Sequence, residues 1–379
     1  MIGNSKYDVA VIGGGLAGLS LAIQCADAGY NVILFEKEKY PFHKVCGEYI
    51  SLESWNFLER LGVALSKFQL PIIEQLEVSD IKGNSYHFPL STGGFGISRY
   101  KIDDLLYQIA LQKDVTVLTQ TKVQNVQFAN NEFEIISSQG NFLSNIAVAC
   151  YGKRSNLDVK WKRSFTQHKP NKLNNYIGVK YHVQYPQQKS KISLHNFHNG
   201  YCGISNIEDD TCCLCYLTTA HNLQKNNNSI KQMQKNVLYQ NAHLEKIFTE
   251  ARFLYTQPLS ISQISFEKKS QTKEHILMTG DAAGMITPLC GNGMSMALHA
   301  SKLAFESIDN FLQGNITREQ MEERYQQRWQ QAFAKRLFVG RTVQRMFGSN
   351  ATTSIFLKSM KLLPFLATRV IKATHGESF

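Results

Sequence analysis

The chain has 379 residues, 43% of them hydrophobic, which suits two interleaved domains of a globular protein. No apolar run reaches the roughly 18 residues of a membrane span, and a β-branched run begins near residue 7. We therefore expect no signal peptide, a cytoplasmic location and eight reduced cysteines. The 41 Lys and Arg against 30 Asp and Glu leave a net charge of +11. That excess fits an anionic membrane surface or a phosphorylated cofactor. No helix-turn-helix, zinc-finger or RNA-recognition pattern accompanies it, so no nucleic-acid partner is expected.

Taken in chain order, "YDVAVIGGGLAGLSLAIQCADAGYNVILFEKEK" reads as strand, glycine turn, helix and strand. Asp8 to Ile12 is the first strand, Leu19 to Ala28 has helical spacing, and Asn31 to Phe35 is the second strand, followed by Glu36. Gly13, Gly15 and Gly18 fit G-x-G-x-x-G. The first glycine permits a tight turn, the second lets the backbone approach a pyrophosphate, and the third lets helix and strand pack closely. The helix start then offers free N–H groups and a positive dipole end to phosphates. Glu36 stands where an acid accepts adenosine ribose hydroxyls, which favours FAD or NAD over NADP.

"HKVCGEYIS" follows, with Cys46 beside Gly47 and Glu48. Next comes "GGFGISRYKIDDLLYQIA", in which Arg99 precedes Asp103 by four residues at a helix start. The strand "NIAVAC" (Asn145 to Cys150) leads into "YGKRSNLD", with Tyr151 and Gly152. Alternation in "KISLHNF" and "TCCLCYLTT" predicts antiparallel strands, with Cys213 and Cys215 on one face and Cys212 on the other. That arrangement lacks zinc-ligand spacing, so no metal site is expected. Far downstream, "EHILMTGDAAGMITPLCGNGMSMALHA" combines a short strand (Ile276 to Thr279), Gly280-Asp281, Pro288, the pair Gly291 and Gly293, and a helix from about Met294.

These blocks together resemble the para-hydroxybenzoate hydroxylase-like flavoproteins, including their geranylgeranyl reductase (FixC-like) branch. The resemblance implies an α/β fold, with a Rossmann-like FAD-binding domain interleaved with an antiparallel β-sheet substrate domain, and a helical C-terminus. It places the FAD domain at residues 1–69, 98–159 and 271–310, the substrate domain at 70–97 and 160–270, and the C-terminal helical region at 311–379. It implies FAD as cofactor, held through Gly13, Gly15, Leu16, Ala17, Gly18, Glu36, Lys37, Lys44, Cys46, Gly47, Arg99, Val123, Gly152, Gly280, Asp281, Pro288, Gly291, Gly293 and Met294. Asp281 would bind the ribityl chain, Arg99 would lie near the flavin side chain or pyrophosphate, and the helix start after Gly291 would face the pyrimidine end. The K-x-C-G stretch, Lys44 to Gly47, would pass the isoalloxazine ring with Cys46 toward the substrate. The chain departs from the pattern at Tyr151, where these hydroxylases carry the aspartate of a D-G pair. NADPH or NADH is the expected reductant, with Lys153 and Arg154 as candidate contacts.

Three activities follow from the resemblance. The first is a monooxygenase hydroxylating a lipophilic phenol or resorcinol-type ring. The second is a reductase of an isoprenoid or polyene double bond, with Cys46 supplying a proton and Tyr201 and His195 reaching the substrate cavity. The third is electron transfer to a quinone, for which the cysteines supply no iron–sulfur ligand set. A halogenase would carry a paired-tryptophan motif, and the three tryptophans here are far apart. The tail mixes Phe356, Leu357, Met360, Leu362, Leu363, Phe365 and Leu366 with Lys358, Lys361, Arg369 and Lys372. Packing beneath the FAD domain is its simplest role, and peripheral membrane contact at the inner face is the second. A lipophilic small molecule is the expected substrate partner.

Overall fold

Two sheets organise the computed structural model, which describes residues 6–169, 171, 173–347 and 350–379. The few remaining positions in the expected domain ranges, such as 1–5 and 348–349, lie outside the described residues. The first sheet runs Thr272–Lys273, Ile276–Met278, Gly140–Ala149, Lys6–Ile12, Val32–Phe35, Thr116–Leu118. From Ile276–Met278 to Thr116–Leu118 its neighbours are parallel. Such a sheet is covered on both faces, and that is why Val32–Phe35 is apolar at every position rather than alternating. Helix Leu16–Asp27 begins three residues before the apolar spacing predicts, because Gly15 itself is the N-cap. That helix packs against Gly293–Leu312, where Ser20 Oγ and Ser301 Oγ lie 2.7 Å apart.

The second sheet carries the substrate side, in the order Arg252–Phe253, Tyr176–Gln184, Cys212–Thr219, Gly200–Asn206, Lys191–Phe197, Ile72–Ser79, Ser85–Gly96, Tyr49–Ser51. The strands at 176–184, 191–197, 200–206 and 212–219 are antiparallel neighbours, as their alternation requires. Tyr49–Ser51 belongs to this sheet, pairing Ile50 with Phe95, although sequence position puts it in the FAD unit. The loop carrying Cys46 therefore bridges the two sheets.

The tail helices pack mainly on the second sheet, while the last residue, Phe379, reaches the FAD-side core, stacking on His299 and meeting Phe57. Helices Asn350–Leu362 and Pro364–Thr374 turn Leu357, Met360, Ala367 and Ile371 into one apolar cluster with Val78, Phe88 and Leu194 of the second sheet. The physical reason is pattern: these buried positions recur at helical spacing and match the apolar face of that sheet.

Candidate functional site

Each fingerprint loop ends on a helix start left open. Gly15 and Asn292, the N-caps of Leu16–Asp27 and Gly293–Leu312, give no side-chain cap, so their first N–H groups remain for an acceptor. Gly13 has φ +108° and its Cα faces Cys150, so a Cβ there would come within 2.6 Å of Cys150 O. At Gly15 an added Cβ would instead stand 3.5 Å from Arg99 Nη2 and 3.6 Å from Lys44 Nζ. Two cations thus converge over the glycine turn, as a pyrophosphate requires. Both are fixed from behind by buried Asp103, which accepts from Arg99 Nε (2.8 Å) and Nη2 (2.7 Å) and from Lys44 Nζ (2.9 Å). Burial works against ionisation of Asp103, but Arg99 and Lys44 outweigh it and hold its carboxyl low. Glu36 is buried at the end of its strand, accepting from Gly14 N at 2.9 Å and Glu38 N at 3.1 Å. Val123 follows Thr121, whose N–H donates to Glu36 O at 2.9 Å. Lys37 points to solvent, 3.8 Å from Glu38. Leu16, Ala17 and Gly18 are buried in the first helical turn. This donor set fits FAD.

The second fingerprint is a turn held by its carbonyls. Lys269 Nζ donates to Asp281 O (2.8 Å), Arg163 Nη2 to Ala282 O (2.9 Å) and Gln271 Nε2 to Ala283 O (3.1 Å). Burial pushes Lys269 down to about 8, with Asp281 opposing. The Asp281 side chain is left half-buried beside Gly280 and Gly293. Tyr151 now has an account: its hydroxyl donates to Asp158 Oδ1 at 2.5 Å, and Asp158 pairs with Arg163 at 2.9 Å. The residue replacing the expected aspartate thus anchors the arginine that grips the Asp281 turn. Gly152 takes φ +83°. Lys153 is committed to Val45 O at 2.9 Å, and Arg154 is exposed.

Between the fingerprints, the Cys46 loop lies on the second sheet over a buried cluster of charge. Glu48, fully buried at φ 56°, accepts from Arg99 N (2.7 Å), His182 Nε2 (2.6 Å) and Lys180 Nζ. Lys180 is equally buried, and its ammonium also reaches Lys44 O at 3.2 Å. Burial opposes ionisation of Glu48, yet the hydrogen bond from His182 and the charge of Lys180 carry its carboxyl below the ordinary value. Glu48, His182 and Cys213 could together face a metal ion. The carboxylate is already occupied by an ammonium, an imidazole and an amide, so the geometry is that of an ion pair. Cys46 is half-buried, and its carbonyl lies 3.2 Å from Cys213 Sγ. Gly47 faces open space.

Beyond this loop lies an apolar cavity, part of it open to solvent. Leu76, Val78, Ile192 and Leu194 of the sheet form one wall, and Leu357, Met360 and Ile371 of the tail form another. Its remaining side is the Pro288–Gly291 segment of the second fingerprint, so the cavity abuts the expected flavin position. Gly291 turns at φ 63°, where a Cβ would press on the Tyr49 ring at 3.1 Å. Asn292 Nδ2 donates to Thr374 O at 2.8 Å and ties this loop to the last helix; Met294 is buried one turn on.

Tyr49, Thr374 and His375 are the polar residues in the described lining. The buried Tyr49 hydroxyl has no hydrogen-bond partner among the described residues. His375 meets Ile371 O through Nδ1 at 2.9 Å; a carbonyl only accepts, so Nδ1 carries the proton and Nε2 is the ring's acceptor. Neither residue carries a sequence motif. Tyr201 is buried in the apolar cluster against the tail, its phenol pushed well up by burial. His195 is not brought to the site. Strand alternation gives Leu194 to the cavity and sends His195 to the opposite face, where it meets Ser79 Oγ at 2.9 Å and stacks on His243.

A family model described as FAD binding domain matches residues 6–338. Among solved structures, the flavin-dependent brominase Bmp2 superposes with TM-score 0.79 at 19% identity over 98% of this chain and 93% of that one. A geranylgeranyl bacteriochlorophyll reductase-like protein from Thermoplasma acidophilum gives 0.75 at 16%, over 99% and 93%. A ubiquinone hydroxylase of Neisseria meningitidis is 28% identical over 158 residues, 36% of this chain and 34% of that protein.

Proposed function

The chain belongs to the FAD-binding-domain family and is an FAD-dependent oxidoreductase of the monooxygenase and halogenase kind; from that premise we propose that it hydroxylates a lipophilic phenol or resorcinol-type ring. The observation that carries this reading is the cavity, whose hydrocarbon walls are interrupted by Tyr49 and His375 next to the Pro288–Gly291 loop. The hydroxylase named among the relatives supports it.

Bound FAD, once reduced, supplies two electrons and activates dioxygen. The chain does the rest. Arg99, Lys44 and the Gly15 turn would hold the pyrophosphate, Glu36 the ribose, and Asp281 the ribityl chain. The start of Gly293–Leu312 would stabilise negative charge at the pyrimidine end. The apolar walls exclude water and orient the ring. His375 Nε2 accepts the phenolic proton, raising electron density on the carbon to be oxidised. The overall balance is ArH + O2 + NAD(P)H + H+ giving ArOH + H2O + NAD(P)+.

The test is turnover of a 5-alkylresorcinol by the holoprotein with NADH or NADPH under 18O-labelled dioxygen. One labelled oxygen per product, with one reductant consumed, is the expected result. Oxygen-independent saturation of a polyprenyl substrate would overturn this reading in favour of a reductase, and a bromide-dependent product would overturn it in favour of halogenation.

A further inference from the structure

The positive charge of the chain is concentrated at one end. From Arg324 to Gly376 inclusive the sequence holds ten Lys and Arg and no Asp or Glu. This stretch includes the two tail helices, whose inner faces wall the cavity. Their outer faces carry large apolar side chains in water: Leu362 is 79% exposed, Ile355 69%, Phe365 54% and Leu363 44%. Lys358, Lys361, Arg369 and Lys372 are exposed among them. Among the described residues, none of these four enters an ion pair. The strand they pack beside, Ser85–Gly96, contains no acid either.

We propose that this outer face docks on an anionic lipid bilayer, with Leu362, Leu363 and Phe365 at the turn between the helices entering the boundary between headgroups and acyl chains. Charge complementarity selects the partner: lysines and arginines without an acidic partner flanking exposed Leu and Phe are what an interfacial helix presents to acidic lipid. The geometry is that of lying on a membrane, since among the described residues no helix is long and apolar enough to cross one. Long basic side chains extend their charge to the headgroups while their stems cover apolar surface. An exposed patch of this kind is costly in water and otherwise unaccounted for. Docking would set the cavity wall against the phase that dissolves a lipophilic substrate, though the proposal stands without the hydroxylation reading.

Vesicle cosedimentation of the FAD-loaded protein tests it without turnover. Binding is expected to vesicles of phosphatidylcholine mixed with phosphatidylglycerol, not to phosphatidylcholine alone, and to weaken as sodium chloride rises. Lys358→Ala/Lys361→Ala should lower the partition coefficient by about 25-fold, from about fivefold per basic residue. Leu362→Ser/Phe365→Ser should lower it by about tenfold or more for each side chain. Retained flavin absorbance shows that both variants fold. No binding to acidic vesicles at low salt overturns the proposal. So does unchanged binding in Leu362→Ser/Phe365→Ser, which would leave a surface read by charge alone, as an acidic protein would read it. A dimer in size exclusion that this variant dissociates, without vesicle binding, would assign the face to a second copy.

Discussion

Around Glu48 the chain buries charge, and across the Tyr49 ring, one residue on, it buries hydrocarbon. On the first side Lys180, His182 and Arg99 N surround one carboxylate, and a few residues away Asp103 holds Arg99 and Lys44 together. On the other side Leu194, Leu357 and Ile371 enclose space whose described lining is apolar apart from Tyr49, Thr374 and His375. The charged side is over-determined, because each buried ion is held by more than one partner and removing one strands the others. The apolar side is under-determined, since its shape can change by a methylene without leaving an unpaired group. A cofactor common to a family suits the first construction, and a substrate that differs among relatives suits the second.

The sharpest way to break the comparison is Glu48→Ala. It leaves the Lys180 ammonium buried without its counter-ion, and we expect a loss of about 3–5 kcal/mol in urea unfolding of the holoprotein. Glu48→Leu/Lys180→Met removes both charges and should recover much of that loss. The pH dependence has a definite sign. Because the Glu48 carboxyl is lowered from an ordinary value of 4.5, its contribution is full above that value and is lost as pH falls through the lower folded one. Equal stability of wild type and Glu48→Ala would show that the cluster is not over-determined.

On the apolar side the largest effect should come from His375→Phe, which keeps the bulk and removes the acceptor. We expect kcat/KM toward a 5-alkylresorcinol to fall by about 100-fold, at the lower end of general-base effects, with FAD retained. Burial lowers His375 from its ordinary 6.5, against the opposing hydrogen bond to Ile371 O, so the neutral base persists through neutral pH. In the wild type the acid limb of the profile should therefore lie below 6.5, and in His375→Phe it should vanish. An unchanged profile would remove His375 from the chemistry.

A smaller, graded effect compares the two fingerprints. Asp281→Ala should weaken FAD more than Glu36→Ala, each by about 1.5–3 kcal/mol, roughly ten- to a hundredfold in affinity by flavin fluorescence. Glu36 already holds Gly14 N and Glu38 N, so its loss should also loosen the turn. Unchanged affinity in both variants would contradict the placement of the cofactor.

Most of the cofactor side was legible in sequence, for a physical reason. A phosphate needs a glycine turn at a helix start, and a strand-end acid must follow at nearly fixed distance, so the information is local. Arg99 and Asp103 are likewise four residues apart on one helix. Lys180 and His182 escaped because nothing near them in the chain announces Glu48, which reaches them from more than 130 residues away. His195 was misplaced by one step of strand alternation, the error to which a half-buried sheet is most exposed. His375 and the tail helices close the cavity from the far end of the chain, and their apolar spacing says that a face is buried without saying against what.

Cys46 tests where the boundary between the two sides falls, and the effect expected is the smallest. Its backbone belongs to the charged loop, since Val45 O accepts from Lys153 and Cys46 O faces Cys213 Sγ, and none of those interactions needs its own thiol. Serine preserves size and backbone, so Cys46→Ser should keep FAD and hold hydroxylation within a few-fold of wild type. A reductase using the thiol as acid behaves otherwise, because serine's far higher pKa would slow proton delivery by about 10²–10⁴-fold. Stopped-flow turnover of flavin-loaded Cys46→Ser separates the two outcomes. A collapse with FAD still bound would make Cys46 a catalytic acid and move the boundary of the reactive side onto the charged loop. A mild effect leaves that loop holding the cofactor, with the proton chemistry at His375.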